Sequence, residues 1–465
     1  MPDRPTLSRA PSSTASGVRV GVPFPSAARI AIILAAGRSL RLRAVTGGGS
    51  KALVRLGGLP LVERAVRSLW AVGIEDVVVM VGYNAGPVAA VVSRLARAGP
   101  VRAVMAEGWE LGNGASLRAA RTVAEGQESF VLMTADHVFS EGALTGLMSA
   151  SAPAVLVDRH PDAETWEEGT RVREREGSVV AMGKELDEPA VECGAFVLPP
   201  EVFDLQDDAG AAGDHSLAGG VSRLAAVRPF TIVPLPEESW WQDIDTPLDL
   251  SAARRRLRGS LVKEGDGPVS RYLNRPISTR ISLAVASVRP APDLLSVLAA
   301  MIGVLSGWLL AVGAGIAGGL LVHATSVLDG VDGESARLQM RASPRGAMLD
   351  GVLDRIADAA ILAGLGIWAL HFASAETCLV LTVAATTGAI LSMATKDRAA
   401  ALGLPQAPER VLGWALGGRD GRLLIVTGFA LAGLPVAALI AVTATSAVSL
   451  AARVAFVRRV VRRSL

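Results

Sequence analysis

The sequence predicts a two-part chain: an α/β domain with a Rossmann-like, mostly parallel sheet, followed by an all-α domain of six transmembrane helices. In the first half, short apolar segments of strand length alternate with segments of helical period. In the second half, apolar stretches of about 20 residues follow one another, and each is long enough to cross a bilayer. With 465 residues, the chain is also too long for one ordinary domain.

The overall composition narrows the functional classes. The net charge is +2 and no long basic run is present, so we expect no nucleic-acid partner. The two cysteines, Cys193 and Cys378, lie far apart without metal-ligand spacing, which indicates a reducing compartment and no disulfide framework. Residues 1–27 are rich in Ser, Pro, Ala and Arg without a continuous apolar core, and we predict a disordered tail there.

Residues 28–250 carry the alternation of strands and helices. Strands are predicted in IAIIL, EDVVVMVGY, ESFVLMT and APAVLVDRH, and a helix in VERAVRSLWAVG. Ligands of such sheets lie beyond the carboxyl ends of the strands, where LAAG (34–37) and TADH (134–137) fall. A glycine turn followed by Arg41 and Lys51 offers backbone N–H groups and cations to a triphosphate.

Several further motifs follow in this half: SKAL (50–53), GNGAS (112–116), GKEL (183–186), ECGAF (192–196) and WWQDIDTP (240–247). The series resembles the sugar-phosphate nucleotidyltransferases, and TADH with GKEL is most similar to the inositol-1-phosphate cytidylyltransferases. The resemblance implies CTP and inositol 1-phosphate as substrates and Mg²⁺ (or Mn²⁺) as the cofactor. It implies nucleotide contacts for Leu34, Ala35, Gly37 and Gly112, catalytic contacts with CTP for Arg41 and Lys51, metal ligation by Asp136 and Asp243, and substrate contacts for Lys184 and Glu192.

Some of these positions admit a second interpretation. Asp245 stands where relatives of that family often have glycine, so the second metal ligand is Asp243 or Asp245, and we favour Asp243. We interpret His137 as a structural residue at a strand end. Trp240 and Trp241 are interpreted as packing in the core.

The second half begins with a basic and then glycine-rich segment, 251–270, which we interpret as a linker. Residues 271–288 are predicted to form an amphipathic helix along the membrane surface, with a continuing linker as the alternative. Lys and Arg follow the second, fourth and sixth predicted spans, so we expect a multi-pass protein of the cell membrane with both termini on the cytoplasmic side. The predicted spans are 294–313, 314–331, 347–371, 376–395, 421–438 and 439–457.

The most informative stretch is 327–358, within the predicted membrane domain of residues 271–465. Asp329 and Asp332 lie three apart on one predicted helix, and Asp350 and Asp354 lie four apart on the next, so each pair shares a helix face. Four carboxylates from two opposed faces suit one or two hard divalent cations. Because ionisable residues at membrane depth are costly, the pattern favours a functional site over chance acids.

The full spacing, D-x2-D-G-x2-A-R-x8-G-x3-D-x3-D, is similar to the signature of the CDP-alcohol phosphotransferase family. The resemblance implies a homodimer in the membrane. Arg341 and Arg410 are candidates to bind the phosphate of the acceptor, with a role as topology signals alone as the alternative. The resemblance implies metal ligation by Asp329, Asp332 and Asp350, contacts with the CDP portion for Gly333, Ala336 and Arg337, and for Asp354 the role of base on the acceptor hydroxyl beside the metal.

Together the two halves resemble the fused inositol-1-phosphate cytidylyltransferases and di-myo-inositol-phosphate-phosphate synthases. We therefore expect CDP-inositol to be made by the first domain and consumed by the second, which transfers inositol phosphate to a second inositol 1-phosphate and releases CMP. Two alternatives stay open. One is a cytidylyltransferase fused to a phospholipid synthase that uses CDP-diacylglycerol. The other is a transporter or membrane scaffold with a degenerate domain that senses sugar nucleotides.

Overall fold

The computed structural model describes residues 30–38, 40–263, 265–402, 404 and 417–464. The predicted tail, 1–27, and Arg410 lie outside these residues. The chain divides into two compact units: an N-terminal unit within Gly21–Leu261 and a C-terminal unit formed by Val262–Arg337 and Arg341–Leu465. Each unit is described separately below.

The N-terminal unit is built from strands and short helices. Its strands are β1 (Ile30–Ala35), β2 (Arg55–Leu56), β3 (Leu59–Pro60), β4 (Asp76–Val81), β5 (Val101–Met105), β6 (Phe130–Thr134), β7 (His137–Phe139), β8 (Ala154–Asp158), β9 (Arg171–Arg175), β10 (Ser178–Gly183), β11 (Val191–Leu198), β12 (Phe230–Pro234) and β13 (Trp241–Asp243). Its helices are α1 (Arg43–Thr46), α2 (Leu61–Ala71), α3 (Ala85–Leu95), α4 (Asn113–Arg118), α5 (Thr145–Met148), α6 (Ala163–Glu168), α7 (Val202–Ala211), α8 (Leu217–Val227) and α9 (Pro247–Gly259). Single 3₁₀ turns occupy Leu40–Leu42, Lys51–Leu53, Trp109–Leu111 and Arg121–Val123.

Nine of these strands form one sheet within the described residues, in the order β5-β4-β1-β6-β11-β8-β12-β10-β9. Strands β5, β4, β1 and β6 run parallel, as the alternation of strands and helices predicts. Strand β11 runs antiparallel to both of its neighbours, β6 and β8. The sheet is therefore mixed rather than mostly parallel, because a late strand is inserted between two earlier ones. Two short antiparallel pairs, β2–β3 and β7–β13, lie outside it.

Both faces of the sheet are covered by apolar side chains. Successive residues of a strand point to opposite faces, and Ile33 and Ile32 of β1 accordingly pack into two different apolar clusters, each with no exposed surface. This explains why β1 is a continuous apolar segment instead of an alternating one. Trp241 is buried in the core as predicted, whereas Trp240 is half-buried.

The C-terminal unit is helical. A π-helical turn, Ser270–Asn274, leads into its first helix. The helices are α10 (Arg275–Val285), α11 (Pro292–Ala311), α12 (Gly315–Leu338), α13 (Pro344–Ala369), α14 (Ala375–Ala401), α15 (Arg419–Leu431) and α16 (Pro435–Ser464).

Of the six predicted spans, three coincide with described helices that are long and apolar enough to cross a membrane. These are Pro292–Ala311, Ala375–Ala401 and Pro435–Val460. Helices α12 and α13 carry the acidic residues, and α15 has 13 described residues. A membrane domain is thus supported by these helices, and the further passes remain an expectation.

Two predicted boundaries differ from the structure. The break between the last two spans lies before Pro435 instead of after residue 438, because Gly433 has a φ of 73° and a proline starts the next helix. The predicted linker is helical in its first part, since α9 extends to Gly259. This helix begins with a capping box, in which Thr246 and Asp249 bind each other's backbone N–H groups.

Helices α11 and α13 pack closely through small residues. A side chain on Gly364 would collide with the backbone carbonyl of Gly307, so the two helix backbones nearly touch. Buried apolar residues such as Leu310, Ile361 and Leu365 surround this contact. The close approach fixes α13, which carries Asp350 and Asp354, against its neighbour.

Candidate active sites

The N-terminal unit contains a cavity of about 530 Å³. Four residues predicted to bind substrates or metal line it: Arg41, Lys184, Glu192 and Asp243. Lys184 follows the end of β10, Glu192 lies in β11, and Asp243 ends β13. The mixed sheet therefore brings together side chains that are up to about 200 positions apart in the sequence.

Lys51 lies among three carboxylates, two of which, Asp243 and Asp245, line the cavity. It begins the 3₁₀ turn Lys51–Leu53, which the hydroxyl of Ser50 caps by accepting from the Ala52 N–H. The Lys51 ammonium donates to Asp136 Oδ2 at 2.8 Å and to Asp243 Oδ1 at 3.4 Å, and it also contacts Asp245. The lysine offsets one of the three negative charges of the cluster.

The charges in this cluster shift one another's pKa. Burial alone would lower the pKa of Lys51, but Asp136, Asp243 and Asp245 raise it above its ordinary value. Burial would raise the pKa of Asp136, yet Lys51 and His137 hold it well below its usual range. For Asp243, burial and the charge of Asp136 outweigh the nearby cations and raise its pKa to about 6. The cluster is ionised enough to attract a cation at neutral pH.

His137 is part of this cluster. It begins β7, which pairs with β13 so that His137 lies opposite Asp243, and the Trp241 ring stacks on it with centroids 5.5 Å apart. Its Nδ1 lies 2.5 Å from Thr134 Oγ1 and 3.0 Å from Asp136 Oδ1. Burial would lower the pKa of His137, but Asp243 and Asp136 raise it to about 9. The sequence indicated only a structural strand-end histidine, because the opposing strand is about a hundred residues away.

The donor set fits a metal ion. Asp136, His137 and Asp243 each offer a ligand atom within 4.8 Å of the others. Carboxylate oxygens are the ligands that a hard divalent cation prefers. Asp245, the alternative to Asp243, instead pairs with Lys51 and with Arg41, whose Nη1 lies 3.5 Å from Asp245 Oδ2.

Of the residues predicted to bind CTP, Leu34, Ala35 and Gly37 lie at the carboxyl end of β1, and Gly112 immediately precedes α4. Leu34 and Ala35 are buried in the last two positions of the strand, whereas Gly37 is exposed with open space around it. Gly112 has a φ of 139°, and a Cβ there would lie 2.7 Å from the carbonyl oxygen of His215. Only glycine fits this turn.

Glu192 and Lys184 also line the cavity. A Glu192 carboxylate oxygen accepts from the Gly194 N–H, and burial raises the pKa of Glu192. The Lys184 side chain is exposed, while its carbonyl accepts from Arg171. A cation in this lining is suitably placed for an anionic substrate that enters the cavity.

In the C-terminal unit, acids of α12 and α13 converge as the spacing predicts. Asp329, Asp350 and Asp354 each offer an oxygen within 4.8 Å of the others, which fits a metal ion. The Asp332 carboxylate accepts from the hydroxyl of Ser296 and from the Gly333 N–H. Three of the four predicted acids thus form the compact group, and Asp332 borders it on the same helix face.

Arg419 stands among these acids, where the sequence indicated only a topology signal. Its Nη1 lies 2.7 Å from Asp329 Oδ1, its Nη2 3.1 Å from Asp354 Oδ1, and its Nε 3.1 Å from Asp358. The residue is 9% exposed and begins α15. The signal for it was the run Arg419–Arg422 at the start of an apolar helix, since charges there need partners.

The remaining predicted residues of this unit are distributed along α12 and after it. Gly333, Ala336 and Arg337 share one helix face, and a Cβ on Gly333 would lie 3.4 Å from Arg337 Nη1. Arg341 is exposed beyond the end of α12 and lies outside the lining of the cavity described next. Arg410 is among the residues that the structure does not describe.

A cavity of about 310 Å³ adjoins the acid cluster. Asp329 and Asp354 of that cluster line it. Besides Arg419, three basic residues line it from α14, α15 and α16: Lys396, Arg422 and Arg453. The Arg453 Nη1 donates to the Ser392 hydroxyl at 2.7 Å, and Arg422 Nη1 donates to the Gly417 carbonyl at 3.2 Å. Sequence reasoning missed this basic wall, because its members come from three separate helices.

Comparison with known proteins gives two family matches. Residues 31–209 match a family described as MobA-like NTP transferase domain, and residues 289–451 match one described as CDP-alcohol phosphatidyltransferase. The first match includes Lys51, Asp136 and His137 but ends before Asp243, and the second includes the whole acid cluster of α12 and α13. The predicted nucleotidyltransferase fold of the first half and the helical phosphotransferase domain of the second are confirmed, while the count of six transmembrane helices stays a prediction.

Relatives of similar length carry both domains. A protein of Rubrobacter xylanophilus, named bifunctional IPC transferase and DIPP synthase, is 36% identical over 418 residues, covering 88% of this chain and 92% of that protein. A protein of Aquifex aeolicus with the same name is 32% identical over 410 residues, covering 87% and 92%. The solved inositol-1-phosphate CTP transferase from T. maritima is 26% identical, covers 50% of this chain and 98% of its own, and has a TM-score of 0.44.

Proposed function

This chain belongs to the family of bifunctional IPC transferases and DIPP synthases, and on that premise we propose that it makes CDP-inositol and then consumes it. The N-terminal unit converts CTP and inositol 1-phosphate to CDP-inositol and pyrophosphate. The C-terminal unit transfers inositol phosphate from CDP-inositol to a second inositol 1-phosphate and releases CMP. The observation that carries the proposal is that one chain holds two acid clusters with metal-ligand spacing, each beside a cavity with basic residues.

In the first reaction, a phosphate oxygen of inositol 1-phosphate attacks the α-phosphorus of CTP, and the bond to the pyrophosphate group breaks. Asp136 and Asp243 would hold Mg²⁺ (or Mn²⁺), which supplies neutralisation of phosphate charge when bound. Lys51 lies 2.8 Å from Asp136 and can donate to a phosphate oxygen at the same place. Arg41 and Lys184 line the cavity as further cations for the two anionic substrates.

In the second reaction, a hydroxyl of the acceptor attacks the phosphorus that bears inositol, and the bond to CMP breaks. Asp354 accepts the proton of that hydroxyl. Asp329, Asp332 and Asp350 are the proposed metal ligands beside it, and a divalent ion there would stabilise the charge on the pyrophosphate. The shared face of Gly333, Ala336 and Arg337 offers the CDP portion a close approach to the backbone and one guanidinium.

The acceptor of this reaction carries a phosphate of its own, and the basic wall of the cavity suits it. Arg422, Arg453 and Lys396 line the same cavity as Asp329 and Asp354. A guanidinium pair can bind a phosphate through paired N–H groups, which places the acceptor hydroxyls toward the acids. We propose Arg422 and Arg453 for this contact in addition to the candidates Arg341 and Arg410.

The placement in the cell is also a proposal. The distribution of Lys and Arg supports a multi-pass protein with both termini and both active sites on the cytoplasmic side. The small residues of the helices suit a homodimer in lipid. Cysteines introduced at the two termini can be labelled with a membrane-impermeant reagent in intact cells and in opened membranes, which tests the sidedness. Labelling of a terminal cysteine in intact cells would contradict the cytoplasmic placement.

One experiment separates this function from the phospholipid alternative. Membranes that contain the chain are incubated with CTP and radiolabelled inositol 1-phosphate, and phosphorus NMR follows the products. We expect pyrophosphate, then CMP, and a labelled diester that stays in the aqueous phase. A labelled product that needs CDP-diacylglycerol and partitions into organic solvent would contradict the proposed acceptor.

A further inference from the structure

Glu334 is a fully buried carboxylate next to Gly333 of the acidic motif. It has no exposed surface, and its partners among the described residues all come from α10. Arg275 Nη1 donates to Glu334 Oε1 at 2.7 Å, Ser278 donates to the same oxygen at 2.6 Å, and Ser282 donates to Oε2 at 2.6 Å. Both carboxylate oxygens are therefore hydrogen-bonded, as a buried charge requires.

Arg275 extends this contact to the segment that precedes α10. We call residues 263 and 265–270 the junction segment, because the chain enters the C-terminal unit through them. Arg275 binds the Asp266 carboxylate with two N–H groups, at 2.8 and 3.1 Å. Asp266 also accepts from the Lys263 N–H at 3.0 Å. The Asp266 and Arg275 side chains are 10% and 11% exposed, so the chain of charges is nearly dry.

The junction segment forms part of the 310 Å³ cavity beside the acid cluster of α12 and α13. Lys263 and the stretch from Gly265 to Ser270 line it together with Asp329, Asp354 and Arg419. Helix α10 also packs directly on the backbone of α12, since a Cβ on Gly330 would lie 3.0 Å from Arg275 Nη1. Arg275, which holds the junction segment, therefore packs against the residue that follows Asp329.

Stability alone is a weak reason for such a network, because an apolar packing of similar volume is often as stable as a buried ion pair. A charge network does fix one arrangement of the groups that it joins. Here those groups are the helix that carries the acidic motif and the wall of the cavity.

We propose that Glu334 is a positioning residue for the transfer reaction: through Arg275 and Asp266 it holds the junction segment as a wall of the cavity. In that position Lys263 supplies a cation to the phosphate-bearing acceptor. This inference rests on the proposed transfer of inositol phosphate and names a determinant of its acceptor binding. The N-terminal reaction does not depend on it.

The test uses the full chain in detergent and measures both reactions separately. CMP release from supplied CDP-inositol is measured against the concentration of inositol 1-phosphate, and pyrophosphate release from CTP is measured in the same preparations. If the unaltered chain releases no CMP, the proposed function fails whatever the variants do. Because both activities reside in one chain, pyrophosphate release also reports the amount of intact protein.

The variants are Glu334→Gln, Asp266→Asn and their combination, with Glu376→Gln, at an exposed position in the first turn of α14, as the control. We expect the KM for inositol 1-phosphate to rise about tenfold in each single variant with kcat within about twofold, since a charge-assisted contact is lost. The combined variant is expected to be no worse than the stronger single one, because both act through Arg275. The control leaves both constants unchanged.

Two outcomes would overturn the inference. An unchanged KM in Glu334→Gln and Asp266→Asn, with kcat lowered or unchanged, would assign the network to folding alone. Multiplicative effects in the combined variant would show that the two carboxylates act independently.

Lys263→Met tests the cation: the KM for inositol 1-phosphate should rise without change in kcat, and an unchanged KM removes Lys263 from the proposal. If Glu334→Gln does not fold, Asp266→Asn and Lys263→Met still decide.

Discussion

The two acid clusters differ in the cation that stands among the carboxylates. In the N-terminal unit it is Lys51, and the side chains of Asp136 and Asp243 are 28% and 39% exposed. In the C-terminal unit it is Arg419, and the side chains of Asp329 and Asp354 are 25% and 16% exposed. In both clusters the cation reduces the repulsion between neighbouring carboxylates.

The chemistry of the two cations gives the difference its meaning. A lysine ammonium is a compact charge on a flexible stem, so it can move from a carboxylate to a phosphate oxygen. A guanidinium is a planar fork, and that of Arg419 uses three different nitrogens for three different acids. The first cluster is suited to exchange its counter-ion, and the second to keep its acids in one arrangement.

The largest effect is expected from the proposed base of the transfer reaction. Asp354→Asn should lower CMP release from CDP-inositol by about 10³-fold, because a general base contributes about 10²–10⁴-fold. Pyrophosphate release by the same chain should be unchanged. Single-turnover CMP release measures the effect, with Glu376→Gln as the control. CMP release at the unaltered rate would remove Asp354 from the reaction.

A similar loss is expected in the other unit. Asp136→Ala should lower pyrophosphate release by about 10²-fold or more, because it removes a metal ligand and the partner of Lys51. Transfer from supplied CDP-inositol should persist. Glu125→Gln, at an exposed surface position, is a suitable control. If pyrophosphate release persists in Asp136→Ala, the acid cluster of the N-terminal unit is not its catalytic centre.

Removal of each resident cation measures how much each cluster depends on it. Without added metal, Arg419→Gln should destabilise the C-terminal unit by about 3 kcal/mol, and Lys51→Gln should destabilise the N-terminal unit by about 1 kcal/mol because its carboxylates are more hydrated. Hydrogen exchange read by mass spectrometry distinguishes peptides of the two units. The reverse order of the two effects would contradict the comparison.

The smallest effect concerns protons in the N-terminal cluster. The pKa of His137 is raised to about 9, so without metal its charge stabilises the fold below pH 6.5, and this contribution is lost as the pH rises through about 9. A divalent cation at Asp136 and Asp243 should expel that proton, so its affinity should increase with pH over this range. Calorimetric titration with Mg²⁺ in two buffers of different ionisation enthalpy counts the protons. We expect about one proton per ion at pH 7.5, and none in His137→Gln.

The sequence was most informative where the residues of a site lie on two helices that are consecutive in the chain. The spacing from Asp329 to Asp354 fixed the helix faces, and three of these acids converge in the structure. The strand ends at LAAG and TADH were likewise predicted from short patterns, because strand direction and ligand position are linked.

What could not be predicted comes from tertiary packing. Arg419 reaches Asp329 across about 90 positions, and His137 meets Asp243 only because β7 pairs with β13. The antiparallel position of β11 between β6 and β8 likewise depends on pairing with strands that are distant in the sequence. Local patterns identify a charge and its helix face, but its partner depends on which elements become neighbours.

The contact of Gly307 with Gly364 has a consequence for how this protein can change. In lipid, helices gain little from burying apolar surface, so their association depends on close fit. A methyl group at either glycine would push α13 away from α11 and would carry Asp350 and Asp354 with it. In a library randomised at these two positions and selected for product, glycine should therefore be recovered almost exclusively, although neither residue lines either of the two cavities described above.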